Sequence, residues 1–133
     1  MAGGKSGTGI PGKREMKILF CCANLSGSGH YRCIYPARAL QRRGHRADWV
    51  EGFRFDPGTF LPADLSYDVY VIQMAQYRET LLCLRKLAEL GKVGIVEVDD
   101  HVRATPFYNP AFHAFRGKGG KAAMLERCVR EAD

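Results

Sequence analysis

The sequence predicts an α/β fold: a single domain with a parallel sheet and helices on both of its faces. Three observations predict it. Short apolar runs of strand type recur at Lys17–Cys22, Arg46–Val50, Asp68–Met74 and Val93–Val98. Two stretches between them, Tyr31–Arg43 and Arg78–Leu90, carry helical periodicity, and Gly44 and Gly91 stop them. The strand runs are near-continuously apolar, as strands covered on both faces are. Strands joined by crossover helices pair in parallel with right-handed connections, so the expected architecture is Rossmann-like.

The elements follow in order. Met1–Glu15 holds many glycines and basic residues, and Ile10 is its only sizeable apolar residue after Met1. It buries too little surface to order itself and is expected to be a flexible leader. Its Gly4-Lys5-Ser6 lacks the upstream glycine and strand of a phosphate-binding loop. Lys17–Cys22 is the first strand, and Ala23–His30 is a turn rich in glycine and serine. In the helix Tyr31–Arg43, Cys33, Pro36, Ala37 and Leu40 share one face. The second strand ends at Glu51 and Gly52. Phe53–Tyr67, with Pro57, Gly58 and Pro62, is expected to be a loop with one short turn. Asp68–Met74 is the third strand. The helix Arg78–Leu90 buries Leu81, Leu84, Leu87 and Ala88. The fourth strand runs straight into Asp99-Asp100-His101. A loop with Pro106 and Pro110, a break at Gly117–Gly120 and a last helix, Lys121–Glu131, complete the chain.

A chain of 133 residues suits one core. The net charge of +6 and pI of about 9.2 favour anionic partners without naming one. The basic residues are spread out, and the densest group, Arg42, Arg43 and Arg46, sits at a helix end, where cations complement the dipole. No nucleic-acid partner is expected. The five cysteines, Cys21, Cys22, Cys33, Cys83 and Cys128, form no CxxC pair and no Cys/His zinc spacing, so no metal site is expected. They read as reduced, buried thiols of a cytoplasmic protein. No apolar run approaches the ~20 residues of a transmembrane segment.

Ligands of α/β sheets bind at the carboxyl ends of strands and at helix N-termini, which directs attention to Asn24–Arg32. Ser26, Gly27, Ser28, Gly29, His30, Tyr31 and Arg32 are the candidate substrate-binding residues. The six from Gly27 to Arg32 follow the dinucleotide fingerprint GxGxxG except that Arg32 replaces the third glycine. Glu51, ending the second strand, stands where a ribose hydroxyl would be held. Three readings stay open here: a nicotinamide or flavin site, a turn that merely reverses the chain, and a polar ligand held by free amides, serine hydroxyls, His30 and Arg32. On the same rim Asp99, Asp100 and His101 are the candidate catalytic residues. Adjacent carboxylates point to opposite sides and share no proton, and Asp100 serves equally as a cap. His101 is read either as an acid–base group, since an ordinary imidazole titrates near neutrality, or as plain polar surface, the commoner role of a lone histidine. On either side of Asn109-Pro110, the aromatics Phe107, Tyr108, Phe112 and Phe115 either pack the loop onto the core or offer faces to sugar rings.

The segments GSGHYRCIYPARALQRRGH, VGIVEVDDHVRATPFYNPAF and LERCVREAD together resemble the N-terminal domain of glycosyltransferases of the GT-B fold, closest to the family-4-like or group 1 enzymes. Those domains open with a strand, a glycine loop and a helix of the form YR-x-x-x-PA-x-AL-x-x-x-GH. A later strand ends in an acidic pair before a loop with NP, and the next helix runs into an AD that leads to a further strand. The resemblance covers Lys17–Asp133. It implies that the domain, residues 16–133, holds an acceptor, and that a missing C-terminal domain holds the nucleotide-sugar co-substrate. It implies no other cofactor. Gly27, Gly29, His30 and Arg32 would face the interdomain cleft, with Asp99 and Asp100 beside them. Many relatives carry a histidine at the end of the fourth strand that touches the donor sugar. Here Asp99 takes that position and His101 is displaced by two. The resemblance further implies a truncated half-enzyme, inactive alone and prone to self-associate through an uncovered face. The alternatives are a nicotinamide-dependent oxidoreductase or epimerase-type domain and a non-catalytic binding module.

Overall fold

Apolar side chains alternate across the strands, and each set finds its own layer of helix. The strands of the computed structural model are β1 (Lys17–Cys22), β2 (Arg46–Glu51), β3 (Val69–Gln73) and β4 (Val93–Glu97). The structure describes residues 14–98, 104–115 and 120–132. The strands lie in the order β2-β1-β3-β4, and every pairing is parallel. β2 and β3 are successive in the chain but do not touch, because β1 lies between them.

The first helix has three parts: α1 (Gly27–Gly29), a π-helical segment (His30–Ile34) and α2 (Tyr35–Arg42). Then come α3 (Arg78–Glu89), a short α4 (Phe112–Phe115) that the sequence did not announce, and α5 (Lys121–Glu131). Ile18, Phe20 and Cys22 of β1 and Val71 of β3 pack against Cys33, Ile34 and Ala37 of the first helix. Leu19 and Cys21 of β1, with Tyr70 and Ile72 of β3, pack on the other side against Leu81, Leu84 and Leu87 of α3 and Cys128 of α5. The expected Rossmann-like arrangement, helices on both faces of a parallel sheet, is therefore present. Gly44 and Gly91 end α2 and α3 at φ 87° and 68°, the left-handed cap conformation that glycine adopts without penalty.

The glycine stretch departs from expectation. Ala23–His30 was to be a turn, with the helix beginning at Tyr31, yet helix begins at Gly27. The cause is an Asx turn just ahead of the helix. Oδ1 of Asn24 accepts the Ser26 amide at 3.0 Å and also the Ser26 hydroxyl, while the Asn24 side-chain amide donates to Ser28 Oγ at 3.4 Å. The His30 amide then donates to Ser26 O at 3.1 Å, which closes the first turn. This turn fixes the entry of the chain into the helix, where each glycine disfavours helix by roughly 1 kcal/mol. One wide turn follows, His30–Ile34. Pro36 sits just beyond it, with no N–H to give and a ring that crowds the Arg32 carbonyl four residues back.

The segment after β2 is a loop with one turn, as expected. Asp56 Oδ1 accepts the amides of Gly58 at 2.8 Å and Thr59 at 3.1 Å, and Phe55 and Pro62 form a single antiparallel bridge. On β4, Val93 and Ile95 are each 38% exposed. Ile95 lies opposite Val71 in register, so this is the first-helix face of the sheet, and the outer strand is left partly open there.

Candidate functional site

The order β2-β1-β3-β4 reverses direction between β1 and β3. Outside the carboxyl ends of those two strands lies the crevice in which open α/β sheets bind ligands. Gln73, the last residue of β3, is the pin of this rim. It is only 4% exposed, and its Oε1 accepts the Ala23 amide at 3.0 Å and lies 3.8 Å from Cys33 Sγ. One side chain thus ties β3 to the end of β1 and to the first helix. Sequence reasoning passed over it, although a lone glutamine closing the apolar run VYVIQ was the signal.

Of the candidate binding residues, Gly29 has a clear steric reason. A Cβ there would lie 1.9 Å from the Asn24 carbonyl oxygen. Gly27 has none, since nothing lies within 4 Å of the corresponding point. The hydroxyls of Ser26 and Ser28 are both engaged by the Asn24 side chain, so they shape the helix entry. Nδ1 of His30 lies 3.1 Å from Ser26 O, and its ring meets Tyr35 edge-on at 5.9 Å. Tyr31 stands 72% exposed, with Tyr35 edge-on at 5.4 Å. Arg32 reaches past the end of β3, and its Nη1 lies 3.2 Å from Glu97 Oε1 at the end of β4. The glycine helix is thereby joined to the strand that leads into the acidic pair. Asp99, Asp100 and His101 themselves lie outside the described residues. Of the loop aromatics, Phe107 and Tyr108 are 79% and 77% exposed, whereas Phe115 packs beside Ala122 and Leu125 of α5. Asn109 Oδ1 accepts the Ala111 amide at 2.9 Å, at the entry to α4.

A cleft of about 380 Å³ opens on the same rim, between the ends of β1 and β3, the start of the loop after β2 and the first turn of α3. Phe53, Phe55, Met74, Gln76, Tyr77 and Glu79 supply most of its character. None of Ser26–Arg32 lines it. Phe53 packs against the α3 side of the core, so the cleft and the glycine helix occupy opposite faces of one rim. Two features mark the cleft. Met74 holds φ 54°, a conformation that costs a non-glycine residue about 1–2 kcal/mol. It is pinned by its amide, which donates to Glu97 O at 2.9 Å, and by packing with Ala122 and Leu125. The second feature is Gln76 Oε1, which is buried without a hydrogen-bond partner among the described residues.

The cysteines are buried and unpaired. Burial pushes the thiols of Cys21, Cys33 and Cys83 up to about 12 and that of Cys128 to about 11, and raises Cys22 as well. At neutral pH they pack as small apolar groups and hold no thiolate for nucleophilic attack. At the amino ends of the strands, Tyr67 donates to Asp48 Oδ2 at 2.6 Å, and the Arg46 guanidinium lies 4.9 Å from the Tyr67 ring centroid. Burial first, and then the Asp48 carboxylate, push the Tyr67 hydroxyl up to about 12. Arg46 is thus occupied at the edge away from the rim. Among the described residues no group of three His, Cys, Asp or Glu is placed to hold a metal ion, and no helix is long and apolar enough to cross a membrane. Comparison with protein-family models, with curated proteins and with solved structures finds no match.

Proposed function

We propose that this domain is the acceptor-side half of a glycosyltransferase that moves a sugar from a nucleotide sugar to an acceptor hydroxyl. The observation that carries the reading is the Arg32–Glu97 pair at 3.2 Å. It joins, on the carboxyl rim, two of the three sequence stretches on which the resemblance rests. In this reading the rim cleft positions the acceptor, which lowers the entropic part of the barrier. The helix N-terminus, His30 and Arg32 face the charge that develops on the departing nucleotide, and Asp99 or Asp100 orients the reacting groups. The partly open Val93 and Ile95 face fits a domain that works against a second one. Glu51, exposed at the end of β2, is the one feature that favours a nicotinamide cofactor instead. Against it, Gly27 is already helical, so the tight turn asked of a fingerprint's first glycine is made elsewhere.

The test is a titration followed by amide NMR, with a transfer assay alongside. Common nucleotide sugars should shift the Gly27–Arg32 amides only at millimolar concentrations, with no turnover by this chain alone. Micromolar binding of a nicotinamide dinucleotide at those amides, or sugar transfer by these residues alone, would overturn the half-enzyme reading.

A further inference from the structure

The rim cleft has a composition that selects among ligands. Its walls offer the aromatic side chains of Phe53, Phe55 and Tyr77. Phe55 stacks in turn on Phe60, with ring centroids 6.2 Å apart, so this wall is braced from behind. Its polar side chains include the Gln76 amide and the Glu79 carboxylate, and among the described residues no lysine or arginine lines it. The ammonium of Lys121 lies 5.6 Å from the Tyr77 ring centroid and is engaged there.

Each of these facts removes a class of ligand. A carboxylate with no cation beside it among the described lining residues disfavours phosphate and other anions. A purely apolar ligand would leave the buried end of Gln76 without a partner, at a cost of about 1–3 kcal/mol. An amide can also turn end for end, presenting oxygen or nitrogen, and a hydroxyl group partners both because it donates and accepts. Aromatic walls then ask for a ring with a C–H face, held flat against them.

We infer that the rim cleft binds a neutral, hydroxylated sugar ring, stacked on its aromatic wall and hydrogen-bonded to Gln76, with Glu79 accepting from a second hydroxyl. As a statement about the acceptor this rests on the acceptor-side reading; as a statement about binding it does not. The strained Met74 backbone belongs to the same site, since Met74 lines the cleft between Gln73 and Gln76.

The probes are glucose and glucose 6-phosphate, followed by amide NMR on the whole chain. Glucose should shift the Gln76 side-chain amide and the backbone amides of Phe53, Met74 and Tyr77, saturating in the millimolar range. Glucose 6-phosphate should bind there severalfold more weakly. Gln76→Leu should weaken glucose binding tenfold or more without lowering the unfolding midpoint. Tyr77→Ala, at a half-exposed position, should weaken it severalfold with the fold intact. The inference fails if glucose leaves these resonances unmoved, if the phosphate ester binds more tightly, or if Gln76→Leu binds normally but melts earlier. Sugar binding in the cleft with no donor response at Gly27–Arg32 would sink the transferase proposal and leave this one standing. The opposite pattern would do the reverse.

Discussion

Two glycines two positions apart have opposite reasons to be there. At Gly29 a methyl group would strike the Asn24 carbonyl oxygen, a backbone atom held by its own turn. Gly29→Ala should cost about 1–3 kcal/mol or displace the 24–26 turn, visible in the denaturation midpoint and in the Ser26 and His30 amide shifts. Gly27 lies in helix with open space around its Cβ position. Gly27→Ala should therefore stabilise by about 0.5 kcal/mol, chiefly by restricting the unfolded chain. Both variants losing stability equally would show that the glycines act through a shared loop conformation the structure does not have. Gln73→Leu is the third residue-scale expectation. It removes the acceptor for the Ala23 amide at a part-buried position, for a loss of about 1–3 kcal/mol in chemical denaturation.

At the scale of elements, the legible parts of the fold were those with a strong period. The four strands appear within a residue or two of their expected bounds, because runs such as KILFCC and VYVIQ are apolar on both faces. The start of the first helix was not legible, because glycine suggests a turn and the Asn24 Asx turn that leads into the helix is a contact, not a pattern. The rim cleft was not legible for a related reason. Phe53 and Phe55 sit in a stretch that reads only as loop, and their shared wall with Tyr77 appears once the sheet brings them together. Arg32 was legible as a candidate, but its partner Glu97 was not, because 65 residues of chain separate them. Since Arg32 is half-exposed, Arg32→Gln should change stability by less than about 1 kcal/mol. Its effect belongs in the donor titration, where the Gly27–His30 amide response should weaken. A stability loss of several kcal/mol with an unchanged titration would make the pair a structural strut only.

Across the whole molecule, burial of ionisable groups sets the pH range of the fold. Cys21, Cys33 and Cys83 rise from an ordinary 9.0 to about 12, and Tyr67 and Tyr70 from 10.0 to about 12. Below pH 9 these groups are protonated in both states, so their contribution to stability is whole. Between about 9 and 12 they ionise in the unfolded chain but stay protonated in the fold, so the unfolded state is favoured and stability falls as pH rises. Thermal midpoints should be flat to about pH 8.5 and then drop steeply. A thiol reagent at pH 7.5 should leave all five cysteines unmodified in the native chain and reach all five in denaturant. A midpoint that holds through pH 11 would mean that these side chains are hydrated in solution.

The reversal of strand order between β1 and β3 has one more consequence. The segment 52–68 is a wall of the cleft, and it is also the sole covalent link between the β1–β2 half of the sheet and the β3–β4 half. Everything else across that seam is non-covalent, chiefly the ladder that pairs Ile18–Cys21 with Val69–Ile72. The loop tip at Gly58 and Thr59 is exposed, as sites of proteolytic nicking are. A cut there would turn one protein into two pieces that still share a buried strand pair. Such pieces should co-migrate under native conditions and reassemble after separation, as a split protein does.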